Sequence, residues 1–335
     1  MSSFSLGDLA QNFMLQRRGA ALKAEMSRLN EELATGQVSD VKAILTGNVS
    51  YLADLENDLR SLSGFKVATT EATQFTDAVQ LALDRVDQSM ETFGSKLLSV
   101  TSSSVGAVLD QFSADAEDEL AAVVNTLNTS VGGRSIFSGT ATDQQALQNS
   151  ELILNGLRAA MSGATTSQDM QTAADQWFSD PAGFAATIYN GSDTHISPLR
   201  LADGETVRVQ LKADDPVFQD VLKNLALSAL ASDASFGLGA DEQQDLLSNT
   251  GQAILQSKDD LIAVRADVGS AQARIDELAT RNATEETSLE YAKGSLLAAD
   301  PYETATELEA VQFQLQSLYA VTARMSDLSF VNFIR

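Results

Sequence analysis

The first 180 residues contain no proline; all four prolines, Pro181, Pro198, Pro216 and Pro301, come later. Proline removes a backbone donor and breaks helix interiors, so this stretch can carry long uninterrupted helices. The apolar spacing agrees. Leu15, Leu22, Met26, Leu29 and Leu33 step by seven, four, three and four, and Leu52, Leu55, Leu59 and Leu62 continue the rhythm. Val79, Leu83, Val86, Met90, Phe93 and Leu97 extend it, and after a serine cluster (Ser102 to Ser104) Ala116, Leu120, Val123 and Leu127 resume it. Steps of three and four place these side chains on one stripe, the seam of a bundle or coiled coil.

The other end mirrors this. Ile254, Leu261, Val264, Val268, Ala271, Ile275 and Leu278 form a seam, with Asn282 and Glu285 as polar members before Leu289 and Ala292. Polar seam residues cost stability but fix register. After Asp300-Pro301 a last stripe runs through Leu308, Val311, Leu315, Leu318, Met325 and Leu328.

Between the stripes the texture changes. Residues 132–236 hold most of the turn signals, the lone His195 and the lone Trp177. Asn190-Gly191 predicts a tight turn. Asp203-Gly204 predicts a hairpin between Leu199–Ala202 and Thr206–Leu211, where Val207, Val209 and Leu211 alternate with polar residues. Helices are expected at 144–161, 167–178 and 215–232. The fold class expected is mainly α with a smaller α+β central domain, both termini feeding one long antiparallel helical bundle or coiled coil. The boundaries are an N-terminal arm over 1–140, a central domain over 141–245 and a C-terminal arm over 246–335 packing back on the first. Stripes at both extremes need burial, and neighbouring copies are the expected source of part of it.

Composition narrows the function. A 44% apolar, 20% charged chain suits a folded protein. A formal charge of -24 argues against nucleic acid and anionic membrane surfaces as partners. Without cysteine there is no disulfide and no thiolate nucleophile or ligand. No run of about 18 apolar residues exists to span a membrane, and "MSSFSLGDLAQNFMLQRRGAALK" lacks the basic and apolar regions of a Sec signal peptide.

Catalytic chemistry is not written here, and no cofactor or metal is expected. No phosphate-binding glycine motif occurs, and "FGLGADE" (236–242) reads as a loop and helix N-cap. One histidine cannot make a common zinc set or, without converging carboxylates, a triad. Trp177-Phe178 reads as a helix end anchoring a small core. "SADAEDEL" (113–120) lacks the alternating ligands of a calcium loop and reads as acids in a first helical turn.

Four segments resemble a known family. "LNEELATGQ" (29–37), "GGRSIFSGT" (132–140), "IYNGSD" (188–193) and "LQSLYAVTARMSDLSFVNFIR" (315–335) are similar to the flagellin superfamily, above all its hook-associated junction branch. Gly133, Arg134, Phe137 and Gly139 fall on the family's "N-G-R-Y-L-F-S/A-G" pattern, and Leu33, Thr35 and Gly36 on its "L-x-T-G", with Gly36 a natural helix C-cap. The resemblance implies a structural, non-enzymatic component of the bacterial flagellum, an adaptor between hook and filament. It implies export without a cleaved signal peptide by the flagellar secretion system and assembly outside the cell. The implied partners are further copies of the chain, a neighbouring hook-associated protein, flagellin and an export chaperone. The residues expected to mate with neighbours are Leu22, Met26, Leu29 and Leu33, then Leu308, Leu315, Leu318, Met325, Leu328, Phe330 and Ile334. Filament flagellin and a cytoplasmic coiled-coil scaffold are the alternatives.

Overall fold

The structure is a computed structural model describing residues 6–40, 49–99 and 106–333. Ten helices are described: α1 (Leu6–Thr35), α2 (Val49–Leu97), α3 (Gly106–Leu127), α4 (Ser150–Ala160), α5 (Ser167–Ser179), α6 (Phe184–Thr187), α7 (Pro216–Leu230), α8 (Ala240–Gln256), α9 (Lys258–Leu296) and α10 (Pro301–Phe333). Two antiparallel hairpins, β1 (Ser130–Val131) with β2 (Arg134–Ser135) and β3 (Leu199–Ala202) with β4 (Glu205–Val207), complete the described elements. The chain divides into two compact units, one of residues 1–63 and 284–335, the other of residues 64–283. The boundaries expected at 140 and 246 both fall inside the second unit. The reason is α3: it packs on α7 and α8, so the chain before residue 140 belongs largely with the middle.

In the second unit α7 is the hub, packing on α3, α4, α5 and α8. Its sequence "PVFQDVLKNLALSAL" buries Val217, Phe218, Val221, Leu222, Leu225, Leu227 and Leu230, more than one face of the helix. A helix apolar on most sides belongs inside a core. The same core holds the predicted stripes, Val79, Leu83, Val86, Met90 and Phe93 of α2 and Ala116, Leu120, Val123 and Leu127 of α3, together with Leu109. Phe137 meets Phe218 edge to face at 5.6 Å. Trp177, Phe178 and Phe184 form an aromatic cluster at the end of α5, as the sequence predicts. The acidic run 113–120 is not a first turn: α3 starts earlier, at Gly106, so those acids lie mid-helix, one of them, Asp115, paired with Lys96.

Glycines shape the hairpins. Gly132 (φ 58°) and Gly133 (φ 79°) are both left-handed between Val131 and its partner Arg134, the two-residue turn whose twist suits adjoining strands. Gly204 (φ 68°) turns β3 into β4 as predicted, but the ladder stops at Val207 with a register shift between Arg200 and Ala202. The alternation nonetheless continues, with Leu211 buried and Gln210 exposed. Asn190-Gly191 is not a hairpin turn. A side chain on Gly191 would sit 2.2 Å from the Tyr189 hydroxyl, so glycine serves close packing there.

The β3–β4 hairpin docks through a small core of Leu201, Ala202 and Val207 with Ala72, Ala271, Ile275 and Leu278. The polar seam residue Asn282 is buried and donates to the Leu201 carbonyl at 2.7 Å. Arg274 and Arg281 reach Glu205 of the same hairpin at 2.7 and 3.4 Å. Replacing Asn282 with Leu orphans that carbonyl in an apolar setting, a loss of about 1–3 kcal/mol. Denaturant unfolding reads the loss, and a variant as stable as the parent would show that the bond contributes nothing net.

Along α2 and α9 a ladder of polar pairs follows the antiparallel register. Lys258 meets Glu91, Arg265 meets Asp84 and Asp87 at 3.0 and 3.1 Å, and Gln272 meets Asp77 at 2.8 Å. The heptad spacing of 258, 265 and 272 puts these on one edge of the seam, where such pairs set register more than stability.

Candidate assembly surface

The first unit pairs α1 with α10. A side chain on Gly19 would touch Leu318 at 3.4 Å, and the Gln11 amide lies 4.0 Å from the Met325 sulfur. Lys23 sits over the Tyr319 ring at 5.8 Å. Residue numbers falling on one helix as they rise on the other make the pair antiparallel. Gly36 (φ 67°) caps α1, its N–H donating to Glu32 at 2.8 Å. The chain just beyond is tied to the α9–α10 joint: Val38 donates to the Leu297 carbonyl and Ala299 to that of Gly36, both at 2.9 Å. Asp300 then caps α10, accepting from the Tyr302 N–H at 2.8 Å with Pro301 as the first helical residue.

A buried acid secures the loop after α1. Glu32 is 4% exposed and accepts from Arg28 at 2.7 Å and from the Ser39 N–H at 2.8 Å. Arg28 also grips Glu25, whose carboxyl its hydrogen bond holds below the usual range. Lys293 pairs with Glu56 at 2.9 Å.

The predicted mating residues separate into groups. Leu29, Leu308 and Leu315 are buried, and Leu22, Met26, Leu318 and Met325 half-buried. The register places Leu29 opposite Leu308 and Leu22 opposite Leu315, so these seven build the α1–α10 seam itself. Leu33 is exposed. Leu328 and Phe330 lie on the described course of α10, but their side chains, like all of Ile334, are outside the described residues.

The structure also exposes a set the seam analysis missed. Phe13 is 67% exposed, Phe313 71% and Tyr302 84%, with Met14, Tyr319 and Val321 also open. Phe13 is two residues from Leu15 and Phe313 two from Leu315, a rotation of about 200°. These aromatic side chains therefore lie on the faces of α1 and α10 turned away from the seam. Tyr302 and Phe313, eleven residues and about three turns apart, share one side of α10. That spacing was the available signal.

His195 lies elsewhere, half-buried in the second unit. It lines a cavity of about 620 Å³ with Arg208, Asp215, Asp220, Asp260 and Asp267. Among the described residues no three His and carboxylate groups are placed to hold a metal. Burial pushes the Asp215 carboxyl above the usual carboxylate range, and neighbouring Asp214 adds to this against the opposing Lys212 N–H. An acid raised on folding is more easily ionised in the unfolded chain. Stability is therefore lost as pH climbs from about 4 through the raised folded value, and the loss persists at neutral pH. Asp215→Asn, which keeps an acceptor for the Lys212 N–H, is expected to unfold at higher temperature at pH 7 with the gain vanishing toward pH 4. A gain independent of pH would refute the assignment.

Comparison with known proteins bears on the terminal arms and on the fold. Residues 249–334, covering the C-terminal half of α8 and all of α9 and α10, match the bacterial flagellin C-terminal helical region. No curated protein matches the chain. Among solved structures, one described as a flagellar hook-associated protein from Vibrio parahaemolyticus superposes with a TM-score of 0.54 at 14% identity, covering 73% of this chain and 95% of that one. Bacillus cereus FlgL superposes with a TM-score of 0.50 at 16% identity, over 72% and 98% of the two chains. At such identities the superpositions speak to fold. The resemblance to the flagellin superfamily read from the sequence is thus borne out by the C-terminal arm, which matches flagellin's helical region, and the mainly helical fold is one that these two solved structures share.

Proposed function

We propose that this chain is a structural subunit of the bacterial flagellum, acting as a junction adaptor between hook and filament rather than as an enzyme. The observation that carries this reading is the flagellin-type match on residues 249–334, the arm whose last helix pairs with α1. Leu22, Met26, Leu29, Leu308, Leu315, Leu318 and Met325 keep the pair in register. Phe13, Met14, Phe313, Tyr319 and Val321, with Leu33 and the terminal Leu328, Phe330 and Ile334, then meet neighbouring subunits. Each large apolar side chain so covered contributes about 1.5–3 kcal/mol, enough over several contacts to hold a subunit in a ring. The contacts are with further copies, a neighbouring hook-associated protein and flagellin. An export chaperone covers the apolar arms before assembly, and the chain leaves by the flagellar secretion system.

Deleting the gene tests the role. The expected cell keeps its hooks, lacks filaments and sheds flagellin monomers into the medium. Hooks with no exported flagellin would instead identify the chain as the filament subunit, and unchanged motility would remove the flagellar reading altogether.

A further inference from the structure

The α1–α10 pair has two backs, the sides turned away from its seam, and both carry a pattern. On α1 the back runs through Phe13, Arg17, Ala20 and Ala24, all exposed. On α10 it runs through Tyr302, Thr306, Glu309 and Phe313, also all exposed. Each series steps by four, three and four, the spacing that keeps side chains on one helical stripe. The inner faces confirm the placement, because a residue two places along a helix is turned by about 200°. Leu15 lies midway between Phe13 and Arg17, and Leu22 between Ala20 and Ala24. Thr304 lies between Tyr302 and Thr306, and Val311 between Glu309 and Phe313. All four of these midway residues are buried or half-buried.

Set antiparallel against each other, the two stripes match at every step. Phe13 meets Phe313 and Arg17 meets Glu309, an aromatic pair and an ion pair. Ala20 then faces Thr306, and Ala24 leaves room for the Tyr302 ring. One copy cannot make these contacts, since its two backs face away from each other, so α1 must come from one copy and α10 from another. The register within a copy, fixed where Gly19 meets Leu318 and Gln11 meets Met325, sets Phe13 level with Arg324 and Arg17 level with Ala320. Copies side by side at equal height would therefore lose both the aromatic pair and the ion pair. Glu309 is eleven residues from Ala320, so bringing it to Arg17 shifts the neighbour by about 16 Å along the axis.

We infer that copies of this chain associate side by side and pointing the same way, the back of α1 in one lying antiparallel on the back of α10 in the next at that offset. The aromatic pair contributes attraction beyond its buried area, and the ion pair selects the register more than it adds strength. Two different faces meet and each step is displaced, so the contact extends as an open series rather than closing at two copies. This inference rests on the assembly role proposed above and adds which faces meet and at what height.

The chain contains no cysteine, so introduced thiols report contact without background. Full-length protein carrying Ala20→Cys and Thr306→Cys is expressed in a strain lacking the gene, and its purified flagella are oxidised with copper phenanthroline. A ladder of disulfide-linked multimers on non-reducing gels is expected, because each copy offers one thiol on either back. Ala20→Cys with Ser317→Cys, level with each other at zero offset, is expected to give little product. Separately, and without thiols, Arg17→Glu is expected to lower the amount of protein in flagella about two- to fivefold, and Glu309→Arg in the same chain to restore it. Protein present in flagella with no ladder from the first thiol pair would overturn the inference, as would a ladder from the second pair alone or a charge swap that restores nothing. Flagella that lack the unaltered parent protein would instead remove the assembly role, and this inference with it.

Discussion

Ending the chain at Asp300 is expected to abolish incorporation into flagella while leaving residues 64–283 folded. The two effects separate because no residue beyond 283 belongs to the second unit or to its apolar core. In the first unit the loss is severe. Leu308 and Leu315 are buried and Leu318 half-buried. Without them Leu29, fully buried in the intact chain, has no opposing surface. At about 1.5–3 kcal/mol per large side chain, the missing contacts rival the 5–15 kcal/mol that holds a typical domain together. A lone α1 cannot make up the difference, because isolated helices in water are marginal. Thermal unfolding followed by circular dichroism should show the main transition of the truncated protein near that of the parent, with reduced helix content. A tagged copy in a strain lacking the gene should not appear in flagella. Recovery of truncated protein in purified flagella would sink the assembly reading, and loss of the main transition would show that the second unit leans on α10.

Much of the architecture was legible because helical stripes obey simple geometry. Of the seam read through Ile254, Leu261, Val264, Val268, Ala271, Ile275 and Leu278, all are buried except Val264, which is partly so, and Gly36 and Gly204 take the left-handed turns that only glycine adopts cheaply. Asn282 was visible as a polar seam member, although its partner, the Leu201 carbonyl 81 positions away, was not. The central place of α7 was hidden for a related reason. A segment apolar on most sides announces burial but not which helices surround it, and that depends on long-range packing of α3, α4, α5 and α8. The grouping of α3 with α7 and α8 was hidden for the same cause, since α3 reads as one more arm helix until its partner is known. The outer aromatic face of α1 and α10 escaped notice because Phe13 and Phe313 fall off the stripe, where single apolar residues ordinarily signify nothing. Only their matching offset from Leu15 and Leu315 marks them as a surface.

Phe137→Ala should be the most damaging single substitution in the second unit, at about 3–5 kcal/mol. Phe137 is fully buried among the largest side chains of the main core and meets the Phe218 ring of α7 edge to face. Removing it leaves a cavity against the hub helix, and it forfeits the aromatic contact, worth about 0.5–1.5 kcal/mol beyond area. The site has little freedom to collapse. The Phe137 carbonyl accepts from the Ala213 N–H at 2.9 Å, and Ser138 accepts from Ser192 at 2.9 Å. Gly139 (φ 60°) is clamped so tightly that an added side chain would fall 2.5 Å from the Thr194 carbonyl oxygen. Backbone fixed on both sides cannot move in to fill the hole, so the cost belongs at the upper part of the range. Phe137→Leu, which keeps most of the volume, should recover more than half of the loss. Urea unfolding of both variants decides it. An Ala variant within about 1 kcal/mol of the parent would mean that the Gly132–Thr140 segment yields where its hydrogen bonds say it is pinned.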